Sequence, residues 1–239
     1  MQQLVQRVRG SSTFEFAFIG KRWSAQGARV LVLDASFNPP TKAHLALART
    51  PIDSNGTPAD ATLLLLSVTN ADKRPKPGDA TPEQRLEMMR ILANELGEPV
   101  AVAAIDAPTF VGKAHALRSL GATQLSFAMG TDTLVRLLNS KYYGDSTDAM
   151  HSALRSFFHG DHARVLCAHR DGEPVPESAR EYMNADANFV SLVELGETAE
   201  GVSSSEVRAS IARGDSVWRN MVSSSIAQYI LHEGLYAQA

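Results

Sequence analysis

The sequence predicts an α/β fold: a doubly wound parallel sheet of five to six strands, with a small helical part near the C-terminal end. Three observations predict it. Short apolar runs alternate with helical patterns along the chain. The runs are apolar throughout, as in strands covered on both faces. Helical segments stand between them, which parallel strands need for their crossovers.

The first run, residues 30–33, is β-branched and apolar and ends at Asp34. Others follow at 62–68, 100–105, 125–129 (closed by Gly130), 165–168 and 189–193. The clearest helix starts at Thr81-Pro82-Glu83-Gln84, with Thr81 as N-cap, Pro82 in the first helical position and Gln84 closing a capping box. Leu86, Met89 and Leu92 recur at helical spacing and should face a core. Further helices are expected after Gly130 and after Ser203, and a last one over about 224–232, stopped by Gly234. The segments 54–60 and 72–79 read as loops within one domain.

Composition narrows the function classes. The chain has 239 residues, 23 Lys+Arg against 26 Asp+Glu, and a net charge of −3, so it lacks the basic excess of a general nucleic-acid binder. Cys167 is the single cysteine, which excludes an intramolecular disulfide framework and fits a reducing compartment. No apolar run reaches the roughly 18–20 residues that span a bilayer. The first ten residues, with Arg7, Arg9 and no acid, read as a surface helix or frayed terminus in preference to a presequence. No secretory signal is legible, and these absences together predict cytoplasmic and/or nuclear residence. His151, His159 and His162 match no metal-ligand spacing.

Ligands of such sheets bind beyond the carboxyl ends of the strands. The first strand runs into Ala-Ser-Phe-Asn-Pro-Pro-Thr-Lys-Ala-His at 35–44. The two prolines stop the strand, and Thr41 is a good N-cap, which puts His44 in the first helical turn. Backbone N–H groups, the helix dipole and an imidazole then converge, a setting suited to an anion and above all a phosphate. The dipole disfavours a charge on His44, which suits a neutral donor. A capped helix with an incidental histidine fits the same residues. Late in the chain, Ser203 and Glu206 have the spacing of a capping box. That leaves Ser204 and Arg208 unexplained; at i,i+4 they share one face near a helix start and offer a second anion site.

Ser36-Phe37-Asn38-Pro39-Pro40-Thr41-Lys42-Ala43-His44 resembles the (T/H)-x-x-H signature of the nucleotidylyltransferases, and in particular the nicotinamide/nicotinate mononucleotide adenylyltransferases. Val202-Ser203-Ser204-Ser205-Glu206-Val207-Arg208 is similar to that family's Ile-Ser-Ser-Thr-x-x-Arg, which binds the ATP triphosphate. Gly130-Thr131-Asp132 resembles its Gly-x-Asp, and Lys141-Tyr142-Tyr143 beyond it is similar to a fungal branch. The resemblance implies a Rossmann-like fold, with residues 1–28 as an N-terminal extension and 29–239 as the nucleotidylyltransferase domain. It implies ATP and nicotinamide mononucleotide as partners, with no nucleic acid and no membrane. NAD and pyrophosphate would form by in-line attack on the α-phosphorus.

His44 and Arg208 are the catalytic candidates the resemblance gives. Ser36, Phe37, Thr41, His44, Gly130, Asp132, Ser203, Ser204, Ser205 and Arg208 would hold ATP. Lys73, Phe110 and Tyr143 (or Tyr142) would hold the mononucleotide. For Lys73, with Arg74 beside it, a solvated loop charge is the alternative; for the tyrosines, a packed pair. Arg170 either flanks the nucleotide or is an ordinary surface arginine. Mg²⁺ would arrive on ATP, with no dedicated protein metal site. Two departures stand out. Ala35 replaces the family glycine, and Asp106-Ala107-Pro108-Thr109-Phe110 stands where the family carries a tryptophan and an acid. They leave open another phosphorylated acceptor, nicotinate mononucleotide included, or a nucleotide-binding protein without transfer activity.

Overall fold

The computed structural model describes residues 1–53, 55–69, 77–97, 99–169, 177–183, 189–196, 199 and 201–237. Elements follow in the order α1 (Gln2–Val8), β1 (Phe14–Ile19), β2 (Arg29–Ala35), α2 (Lys42–Leu47), β3 (Ala61–Ser67), α3 (Pro82–Leu96), β4 (Val100–Ile105) and α4 (Phe110–Leu117). Then come β5 (Gln124–Gly130), α5 (Thr131–Leu137), α6 (Thr147–Arg155), β6 (Ala163–His169), α7 (Glu177–Met183), β7 (Val190–Glu194), α8 (Ser204–Arg213) and α9 (Ser224–Glu233).

All six expected strands form, and the sheet has a seventh. Its order is β1-β4-β3-β2-β5-β6-β7, with β1 antiparallel to β4 and every other pair parallel. The chain winds from β2 through β3 to β4, then from β5 through β6 to β7 on the other side. The order therefore reverses between β2 and β5, and the loops leaving their carboxyl ends diverge there.

Residues 1–19 belong to this architecture: of the two expectations for the first ten residues, the helix forms, as α1. Leu4, Val5 and Val8 of α1 are buried, and β1 pairs along the whole of β4. The signal for β1 is the alternation Phe14, Phe16, Phe18, but a bulge at Ala17 breaks it: Phe16 pairs with Ala103 and Phe18 with Val102. Phe14 and Phe16 consequently pack on one face of the sheet and Phe18 on the other.

Both faces are covered, which is why the strands are apolar throughout. On one, Val30, Val32, Leu63, Leu65 and Phe127 pack with Ala114 and Leu117 of α4 and Leu134 of α5. On the other, Leu31, Leu33, Leu64 and Leu66 meet Leu86, Met89 and Leu92 of α3. The Thr81–Gln84 capping box forms as expected, with the Thr81 N–H donating to Gln84 Oε1 at 2.9 Å and the Gln84 N–H to Thr81 Oγ1 at 3.2 Å. Met88 faces away from the sheet and joins Val207, Trp218, Ile226 and Ile230. That third cluster fastens α8 and α9 to the back of α3; it brings the N-terminal end of α8 and the C-terminal end of α9 to the loop after β2.

Candidate active site

The loop after β2 is held in an unusual conformation. Phe37 has φ 44°, costly for a residue with a Cβ, and the Asn38–Pro39 peptide is cis. Its ring is fully buried and lies 5.1 Å from the His44 ring, so the packed core behind the loop supports the imidazole. Phe37 is thus a support of the loop, with its side chain committed to the core. The Cβ of Ala35 packs against the α3-side core, where it has room.

His44 has one orientation. Its Nδ1 accepts from the Thr41 N–H at 3.1 Å and lies 2.8 Å from Thr41 Oγ1. The Thr41 oxygen in turn accepts from the His44 backbone, completing a capping box in which histidine plays the part of the usual glutamate. With Nδ1 as acceptor, the neutral ring carries its proton on Nε2. The helix start differs from the expected row of open N–H groups. Thr41 N–H is taken by His44, and Lys42 N–H donates to the Met221 carbonyl at 2.9 Å. The reason is the C-terminal helical part, which packs against the start of α2.

The second motif docks onto the first. Ser203 caps α8, accepting from the Glu206 N–H at 3.1 Å. The Glu206 carboxylate does not close a capping box; it pairs with Arg213, two turns along the same face of α8, at 2.8 Å. Ser204 Oγ donates to the Pro39 carbonyl at 2.8 Å, and Arg208 donates to the Asn38 carbonyl at 2.5 Å. Arg208 also reaches the Ser204 carbonyl at 3.2 Å and, at 3.4 Å, the hydroxyl of exposed Ser205. The phosphate-binding candidates of both motifs thus sit on one short stretch of backbone.

Ser36 is half-buried between the end of β2 and this loop. Gly130 N-caps α5 across the switch point, and Asp132 is exposed in that helix's first turn. A Cβ at Gly130 would meet nothing within 4 Å, and its φ of −85° suits any residue. The protein's own packing does not require glycine there.

The candidates for the second substrate are less closely gathered. Phe110 begins α4, edge-on to Phe127 at 5.8 Å, with the Lys113 ammonium 4.7 Å from its ring centre. Its ring is part of the core and one face is taken. Tyr143 donates to the Leu137 carbonyl at 2.8 Å, which places its hydroxyl at the far end of α5, about 9 Å along the helix from Thr131. Burial, with Tyr182 nearby, pushes its phenol up to about 12. Lys73, Arg74 and Arg170 lie outside the described residues.

No family model matches the chain. A Schizosaccharomyces pombe protein named as a nicotinamide mononucleotide adenylyltransferase is 32% identical over 222 residues, covering 85% of this chain and 84% of its own. An Anaeromyxobacter protein named as a nicotinate-nucleotide adenylyltransferase is 30% identical over 220 residues, covering 88% and 97%. The chain belongs to the nicotinamide/nicotinate mononucleotide adenylyltransferase family. It is therefore a nucleotidyltransferase of pyridine nucleotide synthesis. The fold agrees: Plasmodium falciparum nicotinic acid mononucleotide adenylyltransferase, complexed with APC, superimposes with a TM-score of 0.61 at 13% identity, over 87% of this chain and 97% of that one.

The candidate site also gathers residues not among the expected ligand-binding ones: Asn38, from within the first motif, and Asp79, Arg85 and Tyr236 from outside both. Asn38 Nδ2 donates to Asp79 Oδ1 at 2.8 Å, while its Oδ1 accepts from the Ala80 N–H at 3.2 Å and the Tyr236 hydroxyl at 2.9 Å. Asp79 also faces Arg208 at 3.5 Å and Arg85 at 4.0 Å. Burial pulls the Arg85 guanidinium below the usual arginine range, with Asp79 opposing. At the end of β2, Asp34 forms a buried ion pair with Lys113 of α4 and accepts from the Ser67 hydroxyl at 3.1 Å. The only hint was a charge closing an apolar strand and a lysine inside an apolar helical segment.

Proposed function

We propose that this enzyme joins ATP to nicotinamide mononucleotide, giving NAD and pyrophosphate. One observation carries the reading: α8 presents Ser204 and Arg208 to the carbonyls of residues 38 and 39, a few residues from His44, so one polyphosphate can touch both motifs. The mononucleotide phosphate is largely ionised at neutral pH, with a second pKa of about 6, and needs no general base. Its oxygen attacks the α-phosphorus in line and pyrophosphate leaves. The His44 Nε2–H supplies a donor to charge building on the α-phosphoryl group. Arg208 and Ser204 bind the β and γ groups. Open space over Gly130 admits the nucleotide, and Asp132 accepts from ribose hydroxyls. Phe110 and Tyr143 flank the acceptor.

Among the described residues, no group of three or more His, Cys, Asp or Glu is arranged to hold a metal ion. Mg²⁺ would be carried by ATP, ligated by phosphate and water. Catalysis by the protein then rests on positioning and on fixed donors.

Nicotinate mononucleotide is the second reading. The Anaeromyxobacter relatives are named for it, and Phe110 stands where the family's tryptophan was expected. The deciding experiment supplies Mg·ATP with each mononucleotide in turn and separates the products by chromatography. NAD formed at the higher kcat/KM supports the proposal; a preference for nicotinate mononucleotide replaces it with the second reading. ATP binding without pyrophosphate release from either acceptor removes both.

A further inference from the structure

The loop carrying His44 and the helix carrying Arg208 share Asn38, and every polar contact of its carboxamide is made inside the protein. Asn38 is 4% exposed. Its amide can lie only one way: the Ala80 N–H is a fixed donor toward Oδ1, and the Asp79 carboxylate is a fixed acceptor of Nδ2–H. The second position on Oδ1 is filled by the Tyr236 hydroxyl, which must donate there. Tyr236 is 7% exposed, so water cannot readily replace that hydroxyl.

The ring of Tyr236 reaches this position through local geometry. Gly234, at φ 61°, ends α9, and Tyr236 itself has φ 66°, so the chain turns back over the helix. The ring then packs with Met88, Val207, Trp218, Ile226 and Ile230. One side chain is anchored in the cluster that fixes α8 and touches, through its hydroxyl, the loop on which α8 docks. The left-handed backbone of a residue with a Cβ costs energy, and the packed ring and the hydroxyl bond hold it there.

We propose that Tyr236 is a positioning residue for ATP. Its hydroxyl holds the Asn38 carboxamide, and through Asn38 it sets the two carbonyls, at 38 and 39, that receive Arg208 and Ser204. The proposal rests on the proposed function only in assigning Arg208 and Ser204 to the triphosphate. Burial pushes the Tyr236 phenol far above the usual tyrosine range, so the hydroxyl remains a donor at any working pH.

The test is Tyr236→Phe, which keeps the packed ring and removes only the hydroxyl. Tyr229→Phe is the control, since Tyr229 packs on the same cluster. ATP affinity is measured by calorimetry, and KM and kcat are measured for both substrates. The expected result for Tyr236→Phe is a rise of about five- to tenfold in the ATP dissociation constant and in the KM for ATP, as for one lost buried hydrogen bond. The acceptor KM should stay within about twofold, and Tyr229→Phe should bind ATP like the parent. Unchanged ATP affinity in Tyr236→Phe overturns the proposal, and so does failure of that variant to fold, which would make the hydroxyl a support of the fold alone. A parent protein that binds ATP but forms no dinucleotide ends the proposed function, while calorimetry still decides Tyr236. A parent that binds no ATP ends both.

Discussion

The Arg208 guanidinium donates to the Asn38 carbonyl at 2.5 Å across 170 positions of chain. That bond, with Ser204 on Pro39, fastens the start of α8 to the loop that leads into α2. It also settles how Arg208 is aimed, because the Ser204 carbonyl accepts from the same Nη1 and Asp79 faces the Nε. An Arg208→Lys variant keeps the charge but cannot reproduce these simultaneous contacts.

His44 should be the most sensitive position. His44→Ala removes the Nε2–H donor while the core behind Phe37 stays packed. Turnover measured by pyrophosphate release should fall by roughly 10²–10³, the range for loss of one transition-state donor. A parental rate would remove His44 from the mechanism.

The buried pair of Asp34 and Lys113 should reveal itself in stability. Both side chains are under a tenth exposed, at 7% and 6%. Lys113→Met alone leaves a buried carboxylate unpaired and should cost about 3–5 kcal/mol in urea unfolding. Adding Asp34→Leu should restore much of that loss, because the double variant buries no charge. A single variant as stable as the parent would show that the pair is not buried in solution.

Asp161 should make the protein less stable as pH rises. Its two oxygens are buried with no hydrogen-bond partner, although His115 and Arg118 stand 3.8 and 3.6 Å away. Burial raises its pKa above the usual carboxylate range, outweighing the opposing pull of His115, Arg118 and His162. Between the unfolded and the raised folded value the native state binds more protons than the unfolded state, so stability falls as pH increases through that window. Asp161→Asn should flatten this part of the melting profile and raise the midpoint at neutral pH. An unchanged profile would refute the assignment.

Removing residues 1–19 should expose β4. That strand is buried at every position and would become an unpaired apolar edge. The truncated protein should aggregate in light scattering at concentrations where the full chain stays dispersed. A monodisperse truncation would show that β1 is dispensable.

Much of the fold was legible because it is written locally. Six strands show as apolar runs, and α3 shows as a cap, a proline and a repeated Leu/Met spacing. The strand missed, β1, alternates Phe14, Phe16 and Phe18 in sequence, but a bulge at Ala17 sends Phe18 to the other face. Ser203 as N-cap was legible for the same local reason; Glu206 was misread because its capping partner lost to Arg213.

By itself the sequence determined six strands, the start of α3 and the two capped helix starts at Thr41 and Ser203, since propensity, caps and prolines act over a few residues. Only the tertiary structure decided which of those groups remain available. It gave the Lys42 N–H to Met221, turned His44 Nδ1 inward, buried the Phe37 ring and brought Asn38, Asp79, Arg85 and Tyr236 around one guanidinium. Such contacts join residues far apart along the chain, and a hydrogen bond between them depends on where packing places both partners, which no local pattern encodes.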